Sequence, residues 1–204
     1  MKSITIAFLA ALGLSLASAA LAEVTLDQLD QAMEAESDSM EAFRIRLQDP
    51  DPNRARAAMR LLIAEGGPAQ RRLAINHGFD ATDPVIRLEA VRAILDSGPL
   101  LLFRWTPEDG DVNSSYSAAV RNRGGDIEAG NVARVPIPVG PYSEEEECWT
   151  LKDSRGCLAR INAGELSFLF HGSWSQFVLD TEGRLVGRPN IQGNRVEAVA
   201  DLTQ

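Results

Sequence analysis

Apolar side chains fall in two different rhythms along this chain. Up to about residue 98 they recur every three or four positions, the spacing of one helix face; from Leu100 onward they gather in short runs broken by turn residues. Leu26, Leu29, Met33, Met40, Phe43 and Leu47 step by three, four and seven, and Thr25-x-x-Gln28 has the form of a capping box, so a helix is expected from about residue 26. Ser37-Asp38-Ser39 interrupts the stripe and is expected to break that helix in two.

Two later segments repeat each other. DPNRARAAMRLLIAEGG, from Asp51, and DPVIRLEAVRAILDSGP, from Asp83, align with Asp51 on Asp83, Pro52 on Pro84, Ala58 on Ala90, Arg60 on Arg92 and Gly66 on Gly98. Each aspartate can accept from the free amides of a first helical turn, and each proline falls where a missing N–H costs nothing. Gly66 and Gly98 follow the last turn, where a left-handed residue is expected to end the helix. In the second copy, Leu88, Val91 and Leu95 are expected to line one face, with Arg87, Glu89, Arg92 and Asp96 outside it. Between the copies Pro68 opens a further helix, AQRRLAINH, stopped near Gly78, with His77 placed to cap its carbonyls. Paired helices whose second member starts Asp-Pro, followed by Arg, Ala and Leu at helical spacing, resemble HEAT-type repeats of the phycobilisome-lyase kind. The resemblance covers residues 26–98. It implies stacked antiparallel helix pairs that bind macromolecules through a helical face, and it implies no catalytic residues. Such stacks need about three repeats to stand alone; with two visible, the remainder of the chain is expected to cover the open end.

That remainder reads LLLFRW, SYSAAVR, NVARVPIPV, CWTL, CLARIN, ELSFLFHG, WSQFVLD, RLVGR and RVEAVADL, separated by turns such as Gly124-Gly125 and Glu182-Gly183. Short runs at this spacing predict a small antiparallel β-sandwich or barrel. Val196, Ala198, Ala200 and Leu202 alternate with Glu197, Val199 and Asp201, so the last strand is expected to bury one face. Pro136 and Pro138 cannot donate to a ladder, which points to a sheet edge or an extended connection. The fold class expected is α+β: a short HEAT-like unit of four to five helices at residues 23–99, then an antiparallel β-domain at 100–204.

Composition adds a compartment. MKSITIAFLAALGLSLASAALA has one Lys, a short apolar run and an Ala-x-Ala ending, the layout of a signal peptide over residues 1–22; a cut after Ala19 also fits. The mature chain is then expected to be periplasmic or secreted and soluble, with no transmembrane segment after cleavage. A net charge of -9, with hydrophobic residues at 45%, argues for a packed fold and against nucleic acid as partner. Cys148 and Cys157 bracket WTLKDSRG, and in an exported chain the leading reading is a disulfide clamping two strands of a hairpin. A zinc site lacks further ligands, the nearest histidine being His171.

The candidate chemistry is sparse. Asp109-x-Asp111-x-Asn113 opens like a calcium loop, but Ser114 stands where Gly makes the sharp turn and Val120 where a bidentate Glu belongs, so calcium is a weak alternative to a plain polar loop. Glu144–Glu147 reads as a solvated acidic loop. His171, Ser173, Ser175 and Asp180 are the residue types of a hydrolase triad without a nucleophile elbow, and no catalytic residue is assigned. Trp105, Trp149 and Trp174 are expected to pack, whereas an exposed pair would suggest sugar binding. Arg54, Arg56, Arg60, Arg71 and Arg72 lie in a stretch whose one acid is Glu65, and are the candidate partner-binding residues. The expected function is a non-catalytic binding or scaffolding protein of the bacterial envelope. It would need no cofactor and would hold a protein partner on its helical face. The alternative is a small envelope hydrolase, or a glycan-processing or carbohydrate-binding protein, with its site on the β-domain.

Overall fold

Helix caps appear where Asp-Pro and Thr-x-x-Gln place them. In a computed structural model that describes residues 24–203, helix α1 (Leu26–Leu47) starts with Thr25 and Gln28 each accepting the other's backbone N–H, at 3.1 and 3.2 Å. The signal-peptide segment 1–22 lies outside the described residues. Asp51 accepts from Asn53 N at 2.9 Å to open α2 (Pro52–Glu65), and Asp83 accepts from Val85 N at 2.8 Å to open α4 (Pro84–Asp96). Between them α3 (Pro68–Phe79) begins where the Gln70 side chain accepts from Gly67 N at 3.0 Å.

Four helical details depart from expectation. Ser37-Asp38-Ser39 does not break α1: its side chains are exposed, and without Gly or Pro the propensity loss is only about 0.5 kcal/mol per residue. Gly66 is extended (φ -68°, ψ 151°), so only Gly98 (φ 65°) is left-handed. Gly78 is buried inside α3, where a Cβ would lie 2.5 Å from Ala90 Cβ and 2.9 Å from Met59 Sδ; it lets two helices touch rather than ending one. Arg87 and Glu89 are half-buried and engaged, not outside the packed face.

The described residues up to Asp38, from residue 24, belong to one unit, in which Leu26, Leu29 and Met33 are exposed. Residues 39–204 form a second. Within it the secondary structure changes at β1 (Leu100–Pro107), but the packing does not: side chains from Leu47 to Leu202 belong to one buried cluster. Helix α4 joins the parts, burying Ala90, Val91, Ala93, Ile94 and Leu95. Three polar contacts tie it to the strands. Asp96 Oδ1 accepts from the buried Trp149 indole at 2.8 Å, Arg92 lies over the Tyr142 and Trp149 rings, and Arg87 donates to the carbonyls of Leu179 and Asp180. A carboxylate in the last turn opposes the helix dipole, and the indole N–H offsets this.

The β-part is a closed antiparallel barrel. After β1 come α5 (Ser114–Asn122), β2 (Asp126–Ile127), β3 (Ala133–Ser143), β4 (Cys148–Leu151), β5 (Cys157–Asn162) and β6 (Glu165–Phe170). Then follow β7 (Ser173–Leu179), β8 (Arg184–Gly187), β9 (Asn190–Ile191) and β10 (Asn194–Asp201). The order β1-β10-β8-β7-β6-β5-β4-β3 closes by pairing β3 with β1, Phe103 facing Ala200 on one side and Val135 on the other. Closure removes the exposed edges a sandwich would keep. Val196, Ala198, Ala200 and Leu202 are buried, as their alternation requires.

An eight-strand barrel is just wide enough inside to be filled by side chains or to hold one small ligand, and this one is filled. Here Phe103 meets Phe168, Phe170 and Phe177 edge-on at 5.3–5.7 Å, and Trp105 meets Phe170 at 5.6 Å. Small residues opposite them make the space: a Cβ on Gly187 would fall 2.7 Å from the Phe177 ring. Cys148 and Cys157 form the expected disulfide across the β4–β5 hairpin, Cα–Cα 5.7 Å.

Two strand readings need correction. SYSAAVR is helix α5, capped by Asn113 accepting from Tyr116 N at 2.9 Å, with Tyr116, Ala119 and Val120 buried at i, i+3 and i+4. VARVPIPV is neither edge nor connection but part of the closed barrel. β3 pairs with β1 through 133–138; on its other side it meets β2 at 133–134 and β4 from Val139. The Pro138 carbonyl accepts from Lys152 N on that second side, so the prolines' missing donors face the gap between β2 and β4.

Candidate functional site

The gap beside Pro136 and Pro138 is one wall of a cleft of about 750 Å3. Helix α5 supplies Ser115, Ala118, Ala119 and Asn122, with Arg123 as its C-terminal cap; Leu151 and Lys152 come from the end of β4, and His171 and Gln192 from two turns. His171-Gly172 joins β6 to β7 and Gln192-Gly193 joins β9 to β10, all four residues at positive φ (49°, 82°, 53° and 86°). Two-residue turns of this hand match strand twist and favour Gly second; in each the first position bears a side chain at some conformational cost. The outcome places His171 Nδ1 2.9 Å from Gln192 Nε2. The Asn113 side chain, donating to Gln192 O at 2.9 Å, ties the second turn to α5.

The electrostatics of the cleft are one-sided. Its lining includes two cations and a histidine, and no carboxylate. The Arg123 guanidinium is partly buried, and desolvation pushes it below its ordinary value. Among the described residues neither Arg123 nor Lys152 has a side-chain hydrogen-bond or ion-pair partner. Desolvation first, and then the nearby Arg123 charge, holds His171 below the usual imidazole range. The neutral ring can accept at Nδ1 from Gln192, leaving its proton on Nε2.

The other candidates are not brought together. Asp180 sits at the far end of β7 from His171, roughly 20 Å away by strand rise; it accepts from Arg184 N at 2.8 Å, Arg184 Nε at 2.7 Å and Glu182 N at 3.0 Å. Desolvation raises its pKa, but those bonds outweigh it and hold the carboxyl below its ordinary value. The side chains of His171 and Asp180 therefore belong to different neighbourhoods. Asn113, third in the calcium-like triplet, uses both side-chain atoms in the cap and turn contacts, while Asp109 and Asp111 are exposed in the loop before α5. Among the described residues no group of three or more His, Cys, Asp or Glu could hold a metal ion. Trp105 and Trp149 are fully buried; Trp174 is half-buried beneath the Arg160 guanidinium, 4.1 Å from its ring centroid.

The five arginines divide. Arg71 donates to Ile63 O and, at 3.0 Å, to Ser97 Oγ, tying α3 to the C-terminal ends of α2 and α4. Arg56 pairs with Glu89 at 3.2 Å and also bonds Asn53 and Pro52 O. Arg54 lies within 3.6–3.7 Å of Asp49 and Asp51. Arg60 and Arg72 are exposed, and no partner holds their guanidinium groups among the described residues.

No family model, curated protein or solved structure matches the chain. Its residues are therefore the whole basis for assigning the site. Sequence reasoning missed the cleft because Arg123, Lys152, His171 and Gln192 come from four separate loops. The signals that could point to it are the Pro-x-Pro pair in a strand and the X-Gly turns.

The disulfide is consistent with an oxidising compartment. Among the described residues no helix is long and apolar enough to cross a membrane.

Proposed function

We propose that this is a non-catalytic binding protein of the bacterial periplasm or cell exterior, exported by its N-terminal segment, whose small-molecule site is the cleft beside α5. One observation carries the reading: a 750 Å3 cleft, within the range of small-molecule sites, is lined by Arg123 and Lys152, whose side chains have no partner among the described residues, and walled by Pro136, Pro138 and Leu151. A filled barrel interior leaves the mouth as the place for a ligand.

Filling the cleft tests this. A panel of neutral and charged small molecules should contain members that raise the melting temperature by about 5 °C near a hundredfold excess over Kd. They should not do so for Ala118→Trp, whose indole occupies the space while α5 keeps its cap. A panel without a stabilising member, or an A118W variant that responds like the parent, would refute the reading.

A second reading places a protein partner of the cell envelope on HEAT-like α2 and α3. It is supported by the exposed Arg60 and Arg72 and by Leu61, which is 57% exposed. Arg56 and Arg71 no longer belong to it, since reversing them would break structural bonds. Arg60→Glu with Arg72→Glu should remove a partner captured from an envelope extract while changing stability by less than about 0.5 kcal/mol. Unchanged capture would dismiss the helical face.

A further inference from the structure

We infer that the cleft beside α5 takes a small organic anion, an oxyanion head on an apolar body, with Arg123 and Lys152 binding the head. The inference rests on the reading that this cleft is the ligand site, and it names the class of ligand.

The argument starts from an imbalance. The chain has 29 acidic residues against 20 Lys and Arg, a net charge of -9. Several arginines elsewhere meet acids, Arg134 with Glu128 at 2.8 Å, Arg184 with Asp180 at 2.7 Å and Arg56 with Glu89 at 3.2 Å, while Arg60 and Arg72 stand exposed to water without one. At the cleft the pattern inverts, with two cations sharing a lining that contains no carboxylate. Taking a guanidinium partly out of water without an acceptor is unfavourable, and a bound oxyanion is the group that reverses this. The helix dipole favours a cation at the end of α5, which accounts for the position of Arg123 but gives its five donors no acceptor other than water.

The surrounding groups narrow the chemistry. A planar guanidinium matches a carboxylate or phosphate through paired N–H donors, and the ammonium of Lys152 adds a second, mobile point charge. His171, whose Nε2 donates when Nδ1 accepts from Gln192, and the neutral amide of Asn122 are further donors on the same lining. Pro136, Pro138 and Leu151 add an apolar wall to the same lining, which inorganic phosphate alone would leave uncovered. Carboxylates and phosphate monoesters share this chemistry, and the experiment separates them.

The test is isothermal titration of the disulfide-bonded chain with matched acid and amide pairs: acetate with acetamide, hexanoate with hexanamide, and phenylacetate with phenylacetamide. Phenyl phosphate and inorganic phosphate complete the set. Binding is expected for acids with an apolar body or for phenyl phosphate, whichever head the site prefers, and at least tenfold more weakly for each amide and for inorganic phosphate. Arg123→Met should weaken the preferred ligand tenfold or more. Lys152→Met, at an exposed position, should do so in part without disturbing the fold. Amides that bind as tightly as their acids, or affinities unchanged by both substitutions, would overturn the anion inference and leave the cleft as a site for neutral ligands. If none of the acids, the amides and phenyl phosphate binds, the cleft reading falls and the inference with it.

Discussion

Trp149→Ala should unfold in urea with a stability about 4 kcal/mol below the parent, the range for removing a large buried aromatic. Against total stabilities of about 5–15 kcal/mol this is a major share. The ring is fully buried in β4, meets Tyr142 edge-on at 5.0 Å and lies beneath Arg92 at 5.4 Å. Its indole N–H donates to Asp96 at the end of α4. The substitution therefore empties part of the barrel wall and leaves a carboxylate at a helix C-terminus with its donor gone. Trp149→Phe separates the two effects: it keeps most of the bulk, loses the N–H, and should cost about 1.5 kcal/mol, as expected for a hydrogen bond to a charged group. Far-UV circular dichroism follows unfolding in both variants without relying on the removed fluorophore. A loss below about 1 kcal/mol for W149A would mean that helix and barrel are not joined through this residue.

Gly78→Val should be nearly as damaging, by about 3 kcal/mol. In isolation a helix gains about 1 kcal/mol when Gly becomes Ala, so propensity alone predicts stabilisation. Geometry predicts the reverse. A Cβ at position 78 would lie 2.5 Å from Ala90 Cβ, an atom fixed to the α4 backbone, so α3 and α4 must separate. Gly78→Ala should lose about 2 kcal/mol, and Ala90→Gly added to it should recover at least half by removing the colliding methyl. A denaturation double-mutant cycle measures that coupling. Stabilisation by G78A, or strict additivity, would show that the helices do not meet there.

These two positions also show what the sequence could and could not reveal. Local chemistry was legible: Asp51-Pro52 and Asp83-Pro84 specify helix starts from adjacent atoms, the alternation from Val196 to Leu202 specifies a half-buried strand, and the cysteine spacing specifies a clamped hairpin. Gly78 misled because a glycine near a helix end looks like a stop signal when the helix it touches is unknown. SYSAAVR reads as one more short run because α5 is only nine residues, about two and a half turns, and its helical signals are the Asn113 cap and the Tyr116, Ala119, Val120 spacing. Pro136 and Pro138 suggest an edge to the sequence, but they face a local gap between β2 and β4 on one side of a strand that closes the barrel on the other. Arg56 and Arg71 looked free because Glu89 and Ser97 lie 33 and 26 residues further on. The cleft was least legible of all, since its charges meet only once the barrel closes.

Everything proposed for the cleft presumes that the barrel is held as one body with the helices behind it. Native-state hydrogen exchange, on the parent chain and on W149A, tests this most directly. The slowest-exchanging amides of α2–α4 and of the barrel strands should open with one common free energy in the parent, and both sets should fall together, by about 4 kcal/mol, in the variant. Helical amides that exchange through a separate opening, or that keep their protection while the barrel loses its own, would contradict the account.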